Sequence, residues 1–216
     1  NIYDSFVDVE KKRWEEWKIL AKPYKYDPSL PYSRILVDTS ETARYKFLLQ
    51  TLNKAGNNVL LMGETGVGKS VIVKDYLNQL DKEAFISAAN NFSAQTSSKN
   101  IEDLFVDKLT QSGKYLGPRS GKKMIFFFDD INMPKLDKYG TQPPNEFLRQ
   151  IIDQGGFYDL KKYQMRIVKD CCMVAACSPP GGGKNEVSKR LFRHFHMLWI
   201  PELNQSSMEF IFKSIL

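Results

Sequence analysis

The sequence predicts a doubly wound α/β fold: a five-stranded parallel sheet with helices on both faces and right-handed crossovers. Three observations carry it. Five short apolar runs alternate with segments of helical spacing, the first run passes through a glycine-rich turn into a helix, and the third ends in two adjacent carboxylates. In chain order, residues 41–52 place Thr42, Tyr45, Leu48, Leu49 and Leu52 three or four apart, a helix with one apolar face that Ser40 is placed to cap. The turn Ala55-Gly56-Asn57-Asn58 leads into Val59-Leu60-Leu61-Met62, apolar on both faces as a buried parallel strand must be. Residues 84–89, 124–128, 172–177 and 195–200 supply the other four strands, and the spacing predicts helices over 71–80, 101–110 and 145–154. Between the third and fourth strands, Gly155-Gly156-Phe157-Tyr158 and residues 163–168 flank the polar residues 159–162, the pattern of an inserted hairpin. Residues 2–20 contain Phe6, Trp14 and Trp17 but follow neither period, and Pro23, Pro28 and Pro31 then mark an extended linker. The expected division is a lead-in and linker over 1–34 and an α/β domain over 35–216, with no internal repeat.

At 216 residues and 42% hydrophobic content the chain can bury a sizeable core, which argues against disorder. No apolar run approaches the roughly 18 residues of a membrane span, and no basic stretch precedes an apolar one at the start, so neither a span nor a signal peptide is expected. The abrupt start reads as an excised piece of a longer chain. The net charge of +6 is local: residues 160–216 hold nine Lys or Arg against four Asp or Glu. The like-charge runs, Lys11-Lys12-Arg13, Lys122-Lys123 and Lys161-Lys162, are too short for a nucleic-acid arm. Cys171, Cys172 and Cys177 crowd into one apolar run, where they read as small buried hydrophobes in a reducing compartment rather than a disulfide framework or a zinc site.

The chemistry starts at Gly63-Glu64-Thr65-Gly66-Val67-Gly68-Lys69-Ser70. This segment satisfies the P-loop pattern G-x-x-x-x-G-K-[ST] and lies between a predicted strand and a predicted helix, the context the pattern needs. Its glycines let backbone N–H groups turn inward, and the following helix adds the positive end of its dipole, so a β-phosphate is cradled there. Lys69 is expected to reach the β- and γ-phosphates and Ser70 to bind Mg²⁺. Asp129 and Asp130 end the third strand 60 residues beyond Lys69. Open α/β sheets place their ligands at that edge, so Asp129 is expected to hold Mg²⁺ through water and Asp130 to orient the attacking water. Taken alone, the pair is also compatible with a turn or a helix cap before Ile131. Ser178 closes the fourth strand, where it either bonds the γ-phosphate or the water, or merely precedes the strand-ending Pro179-Pro180. Arg190 and Arg193, three apart at a helix end, suit arginine fingers toward the nucleotide of a neighbouring module, or surface ion pairs.

These motifs, with Phe128-Asp129-Asp130-Ile131-Asn132-Met133-Pro134, Lys138-Tyr139-Gly140-Thr141-Gln142-Pro143-Pro144, Leu148-Arg149-Gln150, Gly155 to Asp159 and Arg190-Leu191-Phe192-Arg193-His194-Phe195, closely resemble the third AAA+ module of dynein heavy chains, the axonemal kind more than the cytoplasmic. The resemblance spans nearly the whole chain. It implies a P-loop NTPase, an AAA+ large subdomain with residues 172–177 inserted between the first and third strands, without the small lid subdomain. It implies ATP or ADP with Mg²⁺ as cofactors, bound by Gly63 to Ser70 and Val71, with Ile35, Leu36 and Val37 lining an adenine pocket unless they are ordinary core. It further implies neighbouring AAA+ modules of the same chain, a microtubule reached through the parent motor, and dynein intermediate and light chains as partners. Neither nucleic acid nor membrane is among them. The expected location is the cytoplasm and cytoskeleton, in the axoneme of a cilium or flagellum.

Two departures bear on turnover. AAA+ ATPases usually end this strand in Asp-Glu, and the missing methylene of Asp130 withdraws the carboxylate by about 1 Å, a shift that can cost about a hundredfold in rate. Ser178 stands where many modules have Asn. The expected function is thus a regulatory module that binds ATP·Mg²⁺ and hydrolyses it slowly. The competing readings are a structural module that retains ADP, and an unrelated AAA+ nucleic-acid translocase drawing on the basic end of the chain.

Overall fold

Strands with no polar face can only sit in the middle of a sheet, and three of them do so here. In the computed structural model, which describes residues 4–24, 35–159 and 163–215, the chain divides into two units. One comprises residues 51–201, the other residues 1–50 and 202–216, and α1 (Ser40–Lys54) passes from one to the other.

Within residues 51–201, β3 (Val59–Met62), β4 (Phe85–Asn91), β7 (Lys123–Asp129), β10 (Cys171–Cys177) and β11 (His196–Trp199) form a five-stranded sheet, all parallel, in the order β11-β3-β10-β7-β4. The strand of residues 172–177 thus lies between the first and third, as the resemblance implies. The central three are buried almost end to end and the two edge strands are not, in keeping with the polar Ser87 and His196 that interrupt the apolar runs of the edge strands. Register fixes the two faces: Val174 lies beside Val59 and Phe127. Leu60, Phe126, Phe128, Met173 and Ala175 belong to one core with Ile101 and Phe105 of α3 (Ser98–Lys108) and Leu148 and Ile151 of α4 (Pro143–Gln154). The Phe105 ring lies 4.3 Å from that of Phe126. The alternate residues, Val59, Leu61, Phe127 and Val174, point to the opposite face, and α2 (Lys69–Asn78) meets β10 and joins Asn53 through Tyr76.

The helix ends obey local chemistry. Ser97 and Asn100 form a reciprocal capping box on α3, and Pro143 and Pro144 open α4 where their missing N–H groups cost nothing. Gly155 ends α4 in the left-handed region, at φ 67°. The helix expected over 101–110 stops at Lys108, and Thr110–Ser112 turns into a short strand instead.

That strand, β5, pairs with β6 (Tyr115–Gly117) in a sheet of order β5-β6-β9-β8, where β8 (Gly156–Asp159) and β9 (Gln164–Val168) are the expected hairpin. Arg166 and Asp159 form an ion pair across it. The insert is larger than the sequence indicates because β5 and β6 are three residues each and mostly exposed, too short to show a period.

In the other unit, residues expected to be irregular form an antiparallel pair, β1 (Ser5–Asp8) and β2 (Arg13–Glu16), then a 3-10 turn over Trp17–Leu20. Phe6, Trp17 and Phe47 pack ring on ring at 4.9–5.6 Å. α6 (Gln205–Ile215), unassigned from sequence, carries the exposed Met208, Phe210 and Phe212. Pro28 and Pro31 of the expected linker, the boundary at residue 34 and residues 160–162 of the hairpin lie outside the described residues. No helix among the described residues is long and apolar enough to cross a membrane.

Phe105 is fully buried between α3 and the sheet. Phe105→Ala is expected to lower stability by about 3–5 kcal/mol, read as a reduced urea midpoint at constant slope.

Candidate functional site

The carboxyl ends of β3, β10 and β7 lie side by side, so whatever follows each strand converges at one edge. After β3, the loop 63–68 rises and α2 begins at Lys69. Gly66 and Gly68 turn the loop with φ of 91° and 89°, and no side chain caps the helix, which leaves its first N–H groups for a ligand. Gly63 is required for a different reason: a Cβ there would stand 2.4 Å from the Ile200 carbonyl oxygen, because the chain beyond β11 crosses against the loop. Val67 is buried, Glu64 and Thr65 are exposed, Ser70 is half-buried in the first turn of α2, and Val71 is exposed.

Lys69 is 7% exposed and donates to the carbonyls of Gly63 (2.9 Å) and Glu64 (2.7 Å). Burial and then the nearby Lys184 ammonium push its pKa down, against the pull of Asp130, Cys177 and Asp129. The P-loop lysine and the two carboxylates expected from sequence are therefore within electrostatic reach of one another.

Asp129 is 5% exposed, and its Oδ1 is buried without a hydrogen-bond partner. A buried, unpartnered carboxylate oxygen beside a P-loop lysine fits a hydrated divalent cation. No cluster of three His, Cys, Asp or Glu gathers among the described residues. Mg²⁺ would rest on Ser70, Asp129 and phosphate oxygens, in keeping with its habit of keeping its waters and few protein ligands. Asp130 sits at φ 53°, in the left-handed region that Asp tolerates better than longer side chains do. The chain leaves β7 there in a sharp bend pinned by Ile131 N–H to the Ala176 carbonyl at 3.1 Å.

Ser178 is buried, and its Oγ accepts a 2.6 Å hydrogen bond from Lys184 Nζ. The same ammonium donates to Thr65 Oγ1 at 3.0 Å, tying the loop beyond β10 to the P-loop. Sequence reasoning missed Lys184; the signal was the Gly181-Gly182-Gly183 run before it. Also missed was a buried amide clamp. Asn132 Nδ2 donates to the Ser178 carbonyl (2.8 Å), Gln142 Nε2 to that of Pro134 (2.8 Å) and Asn145 Nδ2 to that of Ile131 (2.7 Å). Asn185 adds its N–H to the Asn132 carbonyl and its side chain to Pro134.

Arg190 and Arg193 flank this edge differently. Arg190 is exposed on α5 (Lys189–Phe192), while Arg193 pairs with Asp153 at 2.9 Å, and Asp153 also accepts from Arg149 and lies 3.0 Å from His194. Burial pushes the Asp153 pKa up, but the hydrogen bonds from Arg193 and Arg149 outweigh it and hold the carboxyl below its usual range. In the other unit, Ile35 and Leu36 are half-buried and Val37 is buried in the segment before α1.

A family described as the P-loop containing dynein motor region matches residues 24–203. The chain belongs to that dynein motor family. It is 41% identical over 218 residues to dynein axonemal heavy chain 6 of Homo sapiens and 40% identical over 219 residues to dynein axonemal heavy chain 12 of Mus musculus. It is also 36% identical over 217 residues to the dynein-1-beta heavy chain of the flagellar inner arm I1 complex of Chlamydomonas reinhardtii. Each alignment covers 100% of this chain but 5–7% of the relative. Similarity to the AAA region of axonemal dynein heavy chains thus extends over the whole chain, and its fold is that of a P-loop dynein motor domain.

Asp129→Asn removes the charge behind the unpartnered buried carboxylate oxygen of this dynein-family site. It is expected to raise the Mg²⁺ concentration for half-maximal nucleotide binding about ten- to a hundredfold, measured by magnesium titration with a fluorescent nucleotide.

Proposed function

We propose that this chain is the third AAA+ module of an axonemal dynein heavy chain and that it binds ATP·Mg²⁺, hydrolyses it slowly and regulates its parent motor. The observation that carries the reading is the uncapped P-loop helix beside the unpartnered Asp129 oxygen. Gly63 to Gly68 hold the phosphates with backbone N–H groups, Lys69 leaves its loop carbonyls for the β- and γ-oxygens, and Ser70 and Asp129 hold the cation, with Val71 continuing the helix behind them. Mg²⁺, when bound, neutralises charge that develops on the phosphates. Asp130 orients the attacking water and Ser178 bonds the water or the γ-phosphate. Ile35, Leu36 and Val37 line the adenine pocket, and Arg190 and Arg193 act on the nucleotide of the preceding module.

Slow turnover follows from two features. The Asp130 carboxylate is one methylene short of the usual glutamate, and Ser178 Oγ is already engaged by Lys184. That engagement also favours a second reading, a module that retains ADP without turnover. The relatives' names carry the words axonemal and flagellar, which supports a place in the axoneme. There the module works with neighbouring AAA+ modules of its own chain, with a microtubule reached by the whole motor, and with intermediate and light chains.

With the other nucleotide sites of the parent chain inactivated, equilibrium dialysis is expected to show magnesium-dependent uptake of adenine nucleotide; no uptake overturns the reading. Asp130→Glu is expected to raise single-turnover hydrolysis about tenfold or more if reach limits the step. An unchanged rate, together with ADP alone retained through purification, would favour the structural module.

A further inference from the structure

Lys184 has features that an ordinary surface lysine lacks. Its backbone is held by a tight loop in which Gly181 and Lys184 exchange hydrogen bonds of 3.2 and 3.0 Å, over three glycines with positive φ. The next residue, Asn185, fastens the loop to the Asn132 and Pro134 carbonyls, which belong to the segment after β7. From that anchored position the side chain crosses to Thr65, 119 residues earlier in the sequence, and to Ser178. Ordering a lysine side chain costs about 1.5–2 kcal/mol of rotamer entropy, and two neutral hydroxyls are weak compensation for placing one ammonium near another. Lys184 makes no ion pair among the described residues. It uses two of its three donors on the hydroxyls, leaving one for a ligand oxygen. Two cations, Lys69 and Lys184, thus meet at the carboxyl edge of the sheet, where a group carrying several negative charges suits them.

Position selects which charge each one reads. Lys69 lies under the loop against Gly63 and Glu64, whereas Lys184 spans from Thr65 at the exposed tip of the loop to Ser178 at the end of β10. β10 is the strand between the P-loop strand and the one ending in Asp129 and Asp130. The outermost phosphate of a triphosphate belongs between those three ends.

We propose that Lys184 is a second phosphate-binding lysine of this site, one that contacts the terminal phosphate and so distinguishes a nucleoside triphosphate from a diphosphate. The inference rests on the nucleotide-binding reading above. When the triphosphate is bound, the remaining donor of the ammonium takes an oxygen of the terminal phosphate, while the hydrogen bonds to Thr65 and Ser178 hold it in place. With a diphosphate it stays on Thr65 and Ser178 alone.

The test uses the full-length parent chain with its other P-loops inactivated and compares the affinities of ADP·Mg²⁺ and of AMP-PNP·Mg²⁺, a non-hydrolysable triphosphate. Lys184→Gln is expected to weaken AMP-PNP binding about ten- to a hundredfold, the worth of a charge-assisted hydrogen bond, while ADP binding stays within about twofold. Lys184→Arg, which keeps the charge, should restore most of the difference. Lys69→Ala should weaken both ligands. If Lys69→Ala does so but Lys184→Gln lowers both affinities equally, or neither, Lys184 only supports the loop and the proposal falls while the nucleotide site stands. Unimpaired binding of both ligands by Lys69→Ala overturns the nucleotide site itself, and Lys184 with it. The ADP affinity of the variants reports whether the module is folded.

Discussion

Parallel pairing of β10 with β3 on one side and β7 on the other brings three carboxyl ends into line, and each end carries a different part of the site. β3 delivers the P-loop, β7 the two aspartates and β10 Ser178 with the loop to Lys184. A one-residue slip of β10 would turn its whole set of side chains to the other face, so register is enforced by burial on both sides. Phe126 and Phe128 on one face and Phe127 on the other anchor β7 in the core right up to Asp129. The carboxylate is therefore presented from a rigid strand rather than from a loop.

Charge is arranged against solvation. Lys69 and Asp129 are both nearly removed from water, a placement that costs free energy unless each has a partner of opposite sign. Lys69 takes carbonyl oxygens and the field of Asp129 and Asp130, while Lys184 opposes it. The unpartnered Asp129 oxygen and the paired ammonium groups are complementary shortages: one suits a cation, the other an anion. A metal-bound polyphosphate meets both demands at once.

Much of this was legible beforehand. The five strands, four of the helices and the P-loop followed from apolar runs and spacing, and the three central strands most clearly, because a strand buried on both faces has no choice of composition. Asp129 and Asp130 were legible for the same reason, as charges at the end of such a run. Less was visible where elements are short or exposed: β5 and β6 show no period, the lead-in pair β1 and β2 is four residues a strand, and the end of α3 was misplaced by two residues. The buried amides of Asn132, Gln142 and Asn145 are polar residues in a polar-looking stretch. Composition does not reveal that their partners are carbonyls 8–46 residues away.

The order of residues alone determined that this chain has a nucleotide-type P-loop, two acids at a strand end and a parallel α/β core, since each is written in local pattern. Only the tertiary structure decided that Lys184 reaches the P-loop, that Asp130 stands in the left-handed region and that one Asp129 oxygen lacks a partner. These depend on distances between segments far apart in the chain, and the close approach of Gly63 to Ile200 belongs with them. Local propensity says nothing about such distances, because they are set by which strands lie next to one another and how tightly they pack.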